Sequence, residues 1–337
     1  MKDKINIGVV GVGHLGQTHA RLFRQIESAN LVGVYDIVSE RSKSISEELG
    51  VKAFDTLERM LEEVDAASIV VPTSSHHEVA IKLIKFGKHC FIEKPLTSSV
   101  EEGAEICKMA KEEKVKVQVG HIERFNAAVL ALSGLKLEPM FVESHRLAQF
   151  KPRALDVAVV LDLMVHDIDL ILNFVKSPVV SIDASGVGVI SETIDIANAR
   201  LKFANGAVAN LTSSRISQRQ MRKMRLFQRD AYISLDFADG VAEVYRAIPI
   251  GTVNADVSLP VGLNLGTIGV GDSVRTIIYE QPDAPQINSL KMELELFVKS
   301  IIENIPTAVT PEEGLEVLKV ADTIVKQIED SNRKLKF

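Results

Sequence analysis

The feature that most narrows what this 337-residue chain can fold into lies at its beginning. Ile5 to Val10 is a short apolar run rich in β-branched residues; it leads directly into Gly11-Val12-Gly13-His14-Leu15-Gly16, and a helical pattern follows from Gln17 to Ile26. Strand, glycine turn and helix in that order suit a dinucleotide. Gly11 permits the tight turn, Gly13 lets the backbone approach a pyrophosphate, and Gly16 allows close packing of helix on strand. His14 and Leu15 lie at the helix entry, where free N–H groups and the positive end of the helix dipole attract phosphate. Alone, such a motif could be an ordinary strand-to-helix turn. A second apolar strand, Leu31 to Tyr35, adds context because it ends in Asp36, 20 residues beyond Gly16. At that spacing a carboxylate accepts hydrogen bonds from the adenosine ribose and repels a 2′-phosphate. NAD is therefore expected over NADP, unless Asp36 merely begins a loop; Arg41 is near enough in sequence to soften the preference and keep NADP possible.

The alternation continues with Leu57 to Glu63 as helix, Ala66 to Val71 as strand, Glu78 to Phe86 as helix and His89 to Ile92 as strand, then Ser99 to Glu113 as helix and Val115 to Val119 as strand. This pattern predicts an α/β, doubly wound, mostly parallel Rossmann sheet over residues 1–120, with Ser98 and Glu101 spaced as a capping box. Ligands bind beyond the carboxyl ends of such strands, so the loops Pro72 to His76 and Glu93 to Pro95 are expected to face the cofactor. Pro72, Thr73, His76, Glu93 and Lys94 are the candidates there.

From His121 the pattern changes. Ile122 to Leu132 reads as helix, and strands then dominate: Phe141 to His145, Ala197 to Phe203, Ala207 to Ser213 and Met224 to Asp236. Asn205-Gly206 and Asp239-Gly240 are two-residue hairpin signals, so an α+β domain over 121–337 with an open, mainly antiparallel sheet is expected. Asp256 to Asp272 has little periodicity and reads as irregular. The end returns to helix, with Leu290, Leu294, Phe297, Ile301 and Ile305 on one stripe and Thr310-Pro311-Glu312-Glu313 as a capping box with proline at the first helical position.

Within this half, Val159 to Phe174 is a largely apolar helix on which Asp162, His166, Asp169 and Asn173 fall at i, i+4, i+7 and i+11. A polar stripe on a buried helix must find partners, and a histidine beside carboxylates carries protons near neutral pH. Two plainer readings compete: a histidine held structurally by a carboxylate, and a metal site. No second cluster of His, Cys or carboxylate completes a metal shell, so no metal is expected.

The formal charge of −6, from 39 Lys and Arg against 45 Asp and Glu, argues against nucleic acid and for a small-molecule partner. Two cysteines, Cys90 and Cys107, cannot build a disulfide framework and fit a reducing compartment. No apolar run reaches the roughly 18 residues of a membrane span, and the start is not laid out as a signal peptide. A soluble, cytoplasmic protein without a membrane partner is expected.

Four segments together, GVGHLG at Gly11 to Gly16, PTSSH at Pro72 to His76, GKHCFIEKPL at Gly87 to Leu96 and LDLMVHDID at Leu161 to Asp169, resemble the Gfo/Idh/MocA family of sugar oxidoreductases. The resemblance implies hydride exchange between nicotinamide and a carbon bearing a hydroxyl, in a cleft between a Rossmann domain and an open-sheet domain. It also implies a cis peptide before Pro95, with Lys94 beside the reacting oxygen, His166 as general base and Asp162 next to it. GHIERFNAAV and the stretch from Ser144 to Leu170 are similar to the branch that oxidises C3 of nucleotide-linked amino sugars such as UDP-N-acetylglucosamine. Arg124, Arg146 and Arg153 flank this region, and arginine suits bidentate recognition of phosphate or carboxylate; surface salt bridges are the alternative. With Asn126 and Asp169 they are the substrate-binding candidates, although Asn126-Ala127 departs from the family's common Asn-Pro. The basic run Arg215, Arg219, Arg222, Lys223 and Arg225 reads as a solvated or subunit-facing sheet edge rather than a polyanion site. In the resembled family the open sheet is often covered by another subunit, which implies a homodimer or homotetramer. A dehydrogenase of a free sugar or polyol, and a dinucleotide-sensing binding protein without catalysis, are the competing functions.

Overall fold

The computed structural model describes residues 4–152, 157–249 and 262–335. The chain divides into two compact units: Met1–Ile122 with Asn288–Asp322, and Glu123–Ile287 with Thr323–Phe337.

Unit 1 follows the expected alternation. Its elements are β1 (Ile5–Val10), α1 (His14–Phe23), β2 (Ala29–Tyr35), α2 (Ser39–Leu49), β3 (Lys52–Ala53), α3 (Leu57–Glu63), β4 (Ala66–Ile69), α4 (His76–Lys85), β5 (His89–Glu93), α5 (Val100–Glu112) and β6 (Val117–Gly120). The strands pair in parallel in the order β3-β2-β1-β4-β5-β6. The order reverses between β1 and β4, which opens a ligand crevice at their carboxyl ends. The capping box of α5 sits one residue later than Ser98 and Glu101 suggested: Ser99 caps, and Glu102 reaches back to the Ser99 N–H.

Unit 2 carries α6 (Ala127–Leu130), β7 (Phe141–Leu147), α7 (Val165–Val175), β8 (Val179–Val187), β9 (Ile196–Phe203), β10 (Val208–Ser214), β11 (Met221–Phe227), β12 (Ala231–Asp236), β13 (Val241–Pro249), β14 (Leu263–Ile268) and β15 (Arg275–Glu280). They form a nine-stranded sheet, β14-β15-β13-β12-β11-β7-β10-β9-β8. The β7–β10 pair is parallel and the other described pairs are antiparallel. Several readings shift. Ile122–Phe125 is a 3₁₀ turn and only Ala127–Leu130 is α-helical, because Asn126 stops the first and caps the second. The run Met224 to Asp236 holds the end of one strand and the whole of another, folded back at Gln228 to Asp230. β14 lies inside the segment read as irregular, of which 256–261 fall outside the described residues.

The C-terminal helices, α8 (Ser289–Ile302) and α9 (Pro311–Leu335), do not divide as the sequence suggested. All of α8 and the start of α9 cluster with unit 1 instead of with the residues after 120. The cause is the apolar stripe of α8, whose Leu290, Leu294 and Phe297 share a core with Ile7, Phe23 and Phe91. Burying a side chain such as Phe297 stabilises by about 1.5–3 kcal/mol. Three hydrogen bonds fix the register: Gln118 Nε2 to the Glu293 carbonyl at 3.0 Å, Thr307 Oγ1 to the Val117 carbonyl at 2.9 Å, and Val119 N–H to the Val309 carbonyl at 3.1 Å. Ile305 lies beyond α8 and is exposed. The Thr310–Glu313 capping box forms as expected.

Candidate active site

The glycine turn of unit 1 has the strain pattern of a phosphate cradle. Gly11 adopts φ +85°, and a Cβ there would lie 2.7 Å from the Val70 carbonyl oxygen; one on Gly16 would lie 1.8 Å from the Gly11 oxygen. Gly13 differs, because no protein atom lies within 4 Å of its would-be Cβ. Open space at Gly13, together with an α1 N-terminus that no side chain caps, leaves backbone N–H groups for an anion. His14 begins α1, and Leu15 is exposed beside it. Asp36, mostly buried, accepts hydrogen bonds from Val12 N–H at 2.8 Å and Val38 N–H at 2.9 Å, with Arg41 at 3.9 Å. Its carboxylate is thus tied to the glycine turn itself, while each oxygen keeps a lone pair for a ribose hydroxyl. The residues present fit a dinucleotide.

At the ends of β4 and β5, Pro72 precedes a 3₁₀ turn from Thr73 to Ser75, and the Lys94–Pro95 peptide is cis. His76 was expected to face the cofactor, but it is buried, with Nδ1 2.9 Å from the Pro95 carbonyl and Nε2 3.0 Å from the Val71 carbonyl. Burial pushes its pKa down, so it is a neutral ring joining the two loops. Glu93 likewise turns inward. Its Oε2 accepts from Lys94 N–H at 3.2 Å, and its Oε1 lies 3.1 Å from Nε2 of His19, a fully buried residue of α1. His19 Nδ1 in turn lies 2.9 Å from Ser68 Oγ. Burial pushes the Glu93 pKa up, yet the His19 contact and the charge and N–H of Lys94 together hold it below the ordinary value. Gly120 makes room, since a Cβ there would stand 3.1 Å from the carboxylate. The sequence reading missed His19; its signal was a histidine on the buried face of α1, in phase with Phe23.

In unit 2 the polar stripe forms, but not as a regular helix. Val160–Met164 is π-helical, and α7 starts at Val165. The wider i→i+5 turn breaks the i, i+4 stacking of Asp162 and His166, and such π segments recur at functional sites. Asp162, His166 and Asn173 are half-buried, whereas Asp167 and Asp169 are buried. Asp169 receives the Arg124 guanidinium, Nε at 2.9 Å and Nη2 at 2.7 Å. Asp167 receives Arg146, Nε at 2.9 Å and Nη2 at 3.0 Å, and Arg146 Nη1 reaches Glu123 at 3.2 Å. Burial would lower the Arg146 pKa, but Asp167 and Glu123 raise it overall. Glu123 also takes Arg222 and Asn126 Nδ2.

Four residues read as substrate contacts are thus parts of internal networks. Arg124, Arg146 and Asp169 form buried ion pairs, and Asn126 is the cap of α6, accepting from Ala128 N–H at 3.0 Å. Arg153 lies outside the described residues. The basic run is also largely neutralised: Arg215 pairs with Asp195, Arg222 with Glu123, Lys223 with Asp236 and Arg225 with Glu143. Among the described residues no group of three His, Cys, Asp or Glu is arranged to hold a metal ion, and no helix is long and apolar enough to cross a membrane.

Comparison with known proteins agrees with this geometry. Residues 5–121 match the family model described as oxidoreductase family, NAD-binding Rossmann fold, and residues 137–234 match the GFO/IDH/MocA C-terminal domain. The chain is 38% identical over 315 residues to a UDP-N-acetylglucosamine 3-dehydrogenase of Acidithiobacillus ferrooxidans, covering 93% of this chain and 94% of that one. A scyllo-inositol 2-dehydrogenase (NAD(+)) of Bacillus subtilis is 31% identical, over 64% of this chain and 69% of its own. A solved structure of the Acidithiobacillus ferrooxidans enzyme superposes with TM-score 0.85 at 35% identity, covering 97% of this chain and 98% of that one. The glycine cradle, the strand-end Lys94 and the two matched domains make this chain a member of the Gfo/Idh/MocA family of NAD-binding oxidoreductases.

Proposed function

We propose that the chain is an NAD-dependent dehydrogenase that oxidises C3 of a UDP-linked N-acetylamino sugar to the ketone. The observation that carries this reading is the 38% identity, sustained over nearly the whole of both chains, to a UDP-N-acetylglucosamine 3-dehydrogenase; the inositol dehydrogenase matches at lower identity and over less of the chain.

The glycine turn Gly11 to Gly16 and the α1 N-terminus hold the pyrophosphate, Asp36 takes the ribose hydroxyls, and the loops at Pro72, Thr73 and Lys94 border the cofactor. NAD, when bound, supplies the acceptor for the hydride. The Lys94 ammonium stabilises negative charge developing on the substrate oxygen. His166, as the neutral imidazole, accepts the hydroxyl proton while the C–H bond gives up its hydride and the carbonyl forms; Asp162 orients the ring.

A homo-oligomer through the unit 2 sheet belongs to the same reading. What supports it is a row of aromatic rings on one sheet face, Phe141, Phe227, Tyr232, Tyr245 and Tyr279, with successive centroids 5.0–5.8 Å apart and Phe227 exposed. We take the cytoplasm as its location, which suits two unpaired thiols.

The test is a panel of UDP-N-acetylglucosamine, free N-acetylglucosamine, glucose and myo-inositol with NAD, followed at the reduced-nicotinamide absorbance. Turnover should require the nucleotide; oxidation of myo-inositol or glucose at comparable efficiency would replace the reading by a polyol or free-sugar dehydrogenase. In the same assay His166→Asn should keep NAD binding and lower turnover by roughly 10²- to 10⁴-fold.

A further inference from the structure

Two arginine–aspartate forks grip α7 on either side of His166. Asp167 follows His166 by one residue and Asp169 by three, so on a helix they project about 100° to one side and about 60° to the other. Their partners come from different elements: Arg146 from β7 and Arg124 from the 3₁₀ turn after β6. Both pairs are bidentate and buried, with side-chain exposures of 6% and 2% for Arg146 and Asp167, and 9% and 0% for Arg124 and Asp169. A helix held at one point can still turn about its axis; held on two flanks by planar forks, it cannot. The restraint matters here because the segment preceding His166 is π-helical and its wider turn does not impose the regular angular phase of an α-helix.

We propose that Arg146 and Arg124 are positioning residues, which set the rotation of α7 through Asp167 and Asp169 and so fix where the His166 imidazole points. The proposal rests on the reading of His166 as general base. The guanidinium groups that sequence spacing offered to a substrate anion hold the helix of the base instead. Glu123 extends the restraint, since it ties Arg146 to Arg222 of β11 and to Asn126. A lysine in place of either arginine keeps the charge and loses the fork, so it separates geometry from electrostatics.

The experiment is a double-mutant cycle on the full-length enzyme with NAD and the donor it oxidises in the panel above, with rates expressed per folded molecule from circular dichroism. Arg146→Lys and Arg124→Lys should each lower kcat, up to roughly 10²-fold, the cost of misplacing a reacting group by about 1 Å. KM for NAD should stay within about two-fold, since uniform binding is untouched. In a His166→Asn background neither lysine should lower kcat further, because the group they aim is gone. Losses that multiply with that of His166→Asn would overturn the proposal, as would wild-type kcat in both lysine variants. Full activity of His166→Asn alone would instead overturn the general-base reading. Should Arg146→Lys not fold, Arg124→Lys and Asp167→Asn complete the same cycle.

Discussion

Replacing His19 by phenylalanine is expected to destabilise unit 1 and to loosen Lys94 together. Phenylalanine keeps the aromatic ring that packs edge-on against Phe91, at 5.5 Å between centroids, so the change isolates the two polar contacts. The 3.1 Å approach of His19 Nε2 to the Glu93 carboxylate, which is 13% exposed, falls short of hydrogen-bond geometry, so it contributes less than the about 1.5–3 kcal/mol of a well-aligned bond to a charged group. The contact with Ser68 is an ordinary hydrogen bond of about 0.5–1.5 kcal/mol. A loss of about 1–3 kcal/mol follows, read from urea unfolding of the protein without cofactor. The pH dependence carries a second signature. The Glu93 pKa is held below its ordinary value in the folded state, so its contribution is present above the unfolded carboxylate pKa and lost as pH falls through the folded one. Since His19 is the main cause of that lowering, the gap between wild type and variant should narrow on acidification below about pH 4.3, leaving the part contributed by Ser68. Turnover should fall as well, because Glu93 Oε2 anchors the Lys94 backbone N–H at 3.2 Å. A stability loss below about 0.5 kcal/mol, the range of neutral surface changes, would refute the reasoning; so would a difference between the two proteins that persists unchanged at low pH.

Asp36→Ala should erode discrimination against NADP by removing both an acceptor for the ribose and a repulsive charge, measured as kcat/KM with each cofactor; equal efficiency of both cofactors in the unmutated protein would count against it. Lys94→Ala should retain NAD affinity in a fluorescence titration while losing most turnover, and the opposite pattern would make Lys94 a binding residue. For His89, burial lowers the pKa, and its Nδ1 accepts the Lys116 N–H at 2.9 Å, which only the unprotonated nitrogen can do. A histidine whose folded pKa is depressed contributes stability above the unfolded value, about 6.5, and loses it as pH falls through the folded value. Denaturation midpoints should therefore drop below pH 6.5, and His89→Asn, whose side-chain oxygen still accepts that N–H, should flatten the drop.

The Rossmann half was legible because its signals are local: glycine positions, strand-to-helix spacing and Asp36 act within a few turns of chain, whereas α2, β3 and the strand order emerged only from the tertiary structure. The cis turn at Lys94-Pro95 lies where the strand-end reading put it, but the regular stripe read through Asp162 and His166 is interrupted by a π turn that the spacing does not reveal. Strand ends in the second half were less legible. β8, β13 and β15 were not read, β14 was read as irregular, and one apparent run held the end of β11 and the whole of β12, because antiparallel strands are defined by partners and these carry mixed exposed faces.

By itself, the sequence determined the dinucleotide cradle, the fold class of both halves and the residue types offered for catalysis. Tertiary structure alone decided what each charge meets. Arg124 and Arg146 look like anion readers until the chain brings Asp169 and Asp167 against them from 45 and 21 residues away. His76 and Glu93 look like cofactor contacts until burial turns them inward, and α8 looks like part of the second half until its apolar stripe finds Phe23 and Phe91. The physical reason is common to all of these: a buried charge or apolar face is stable only against a specific partner, and the partner's distance along the chain leaves no mark in local spacing.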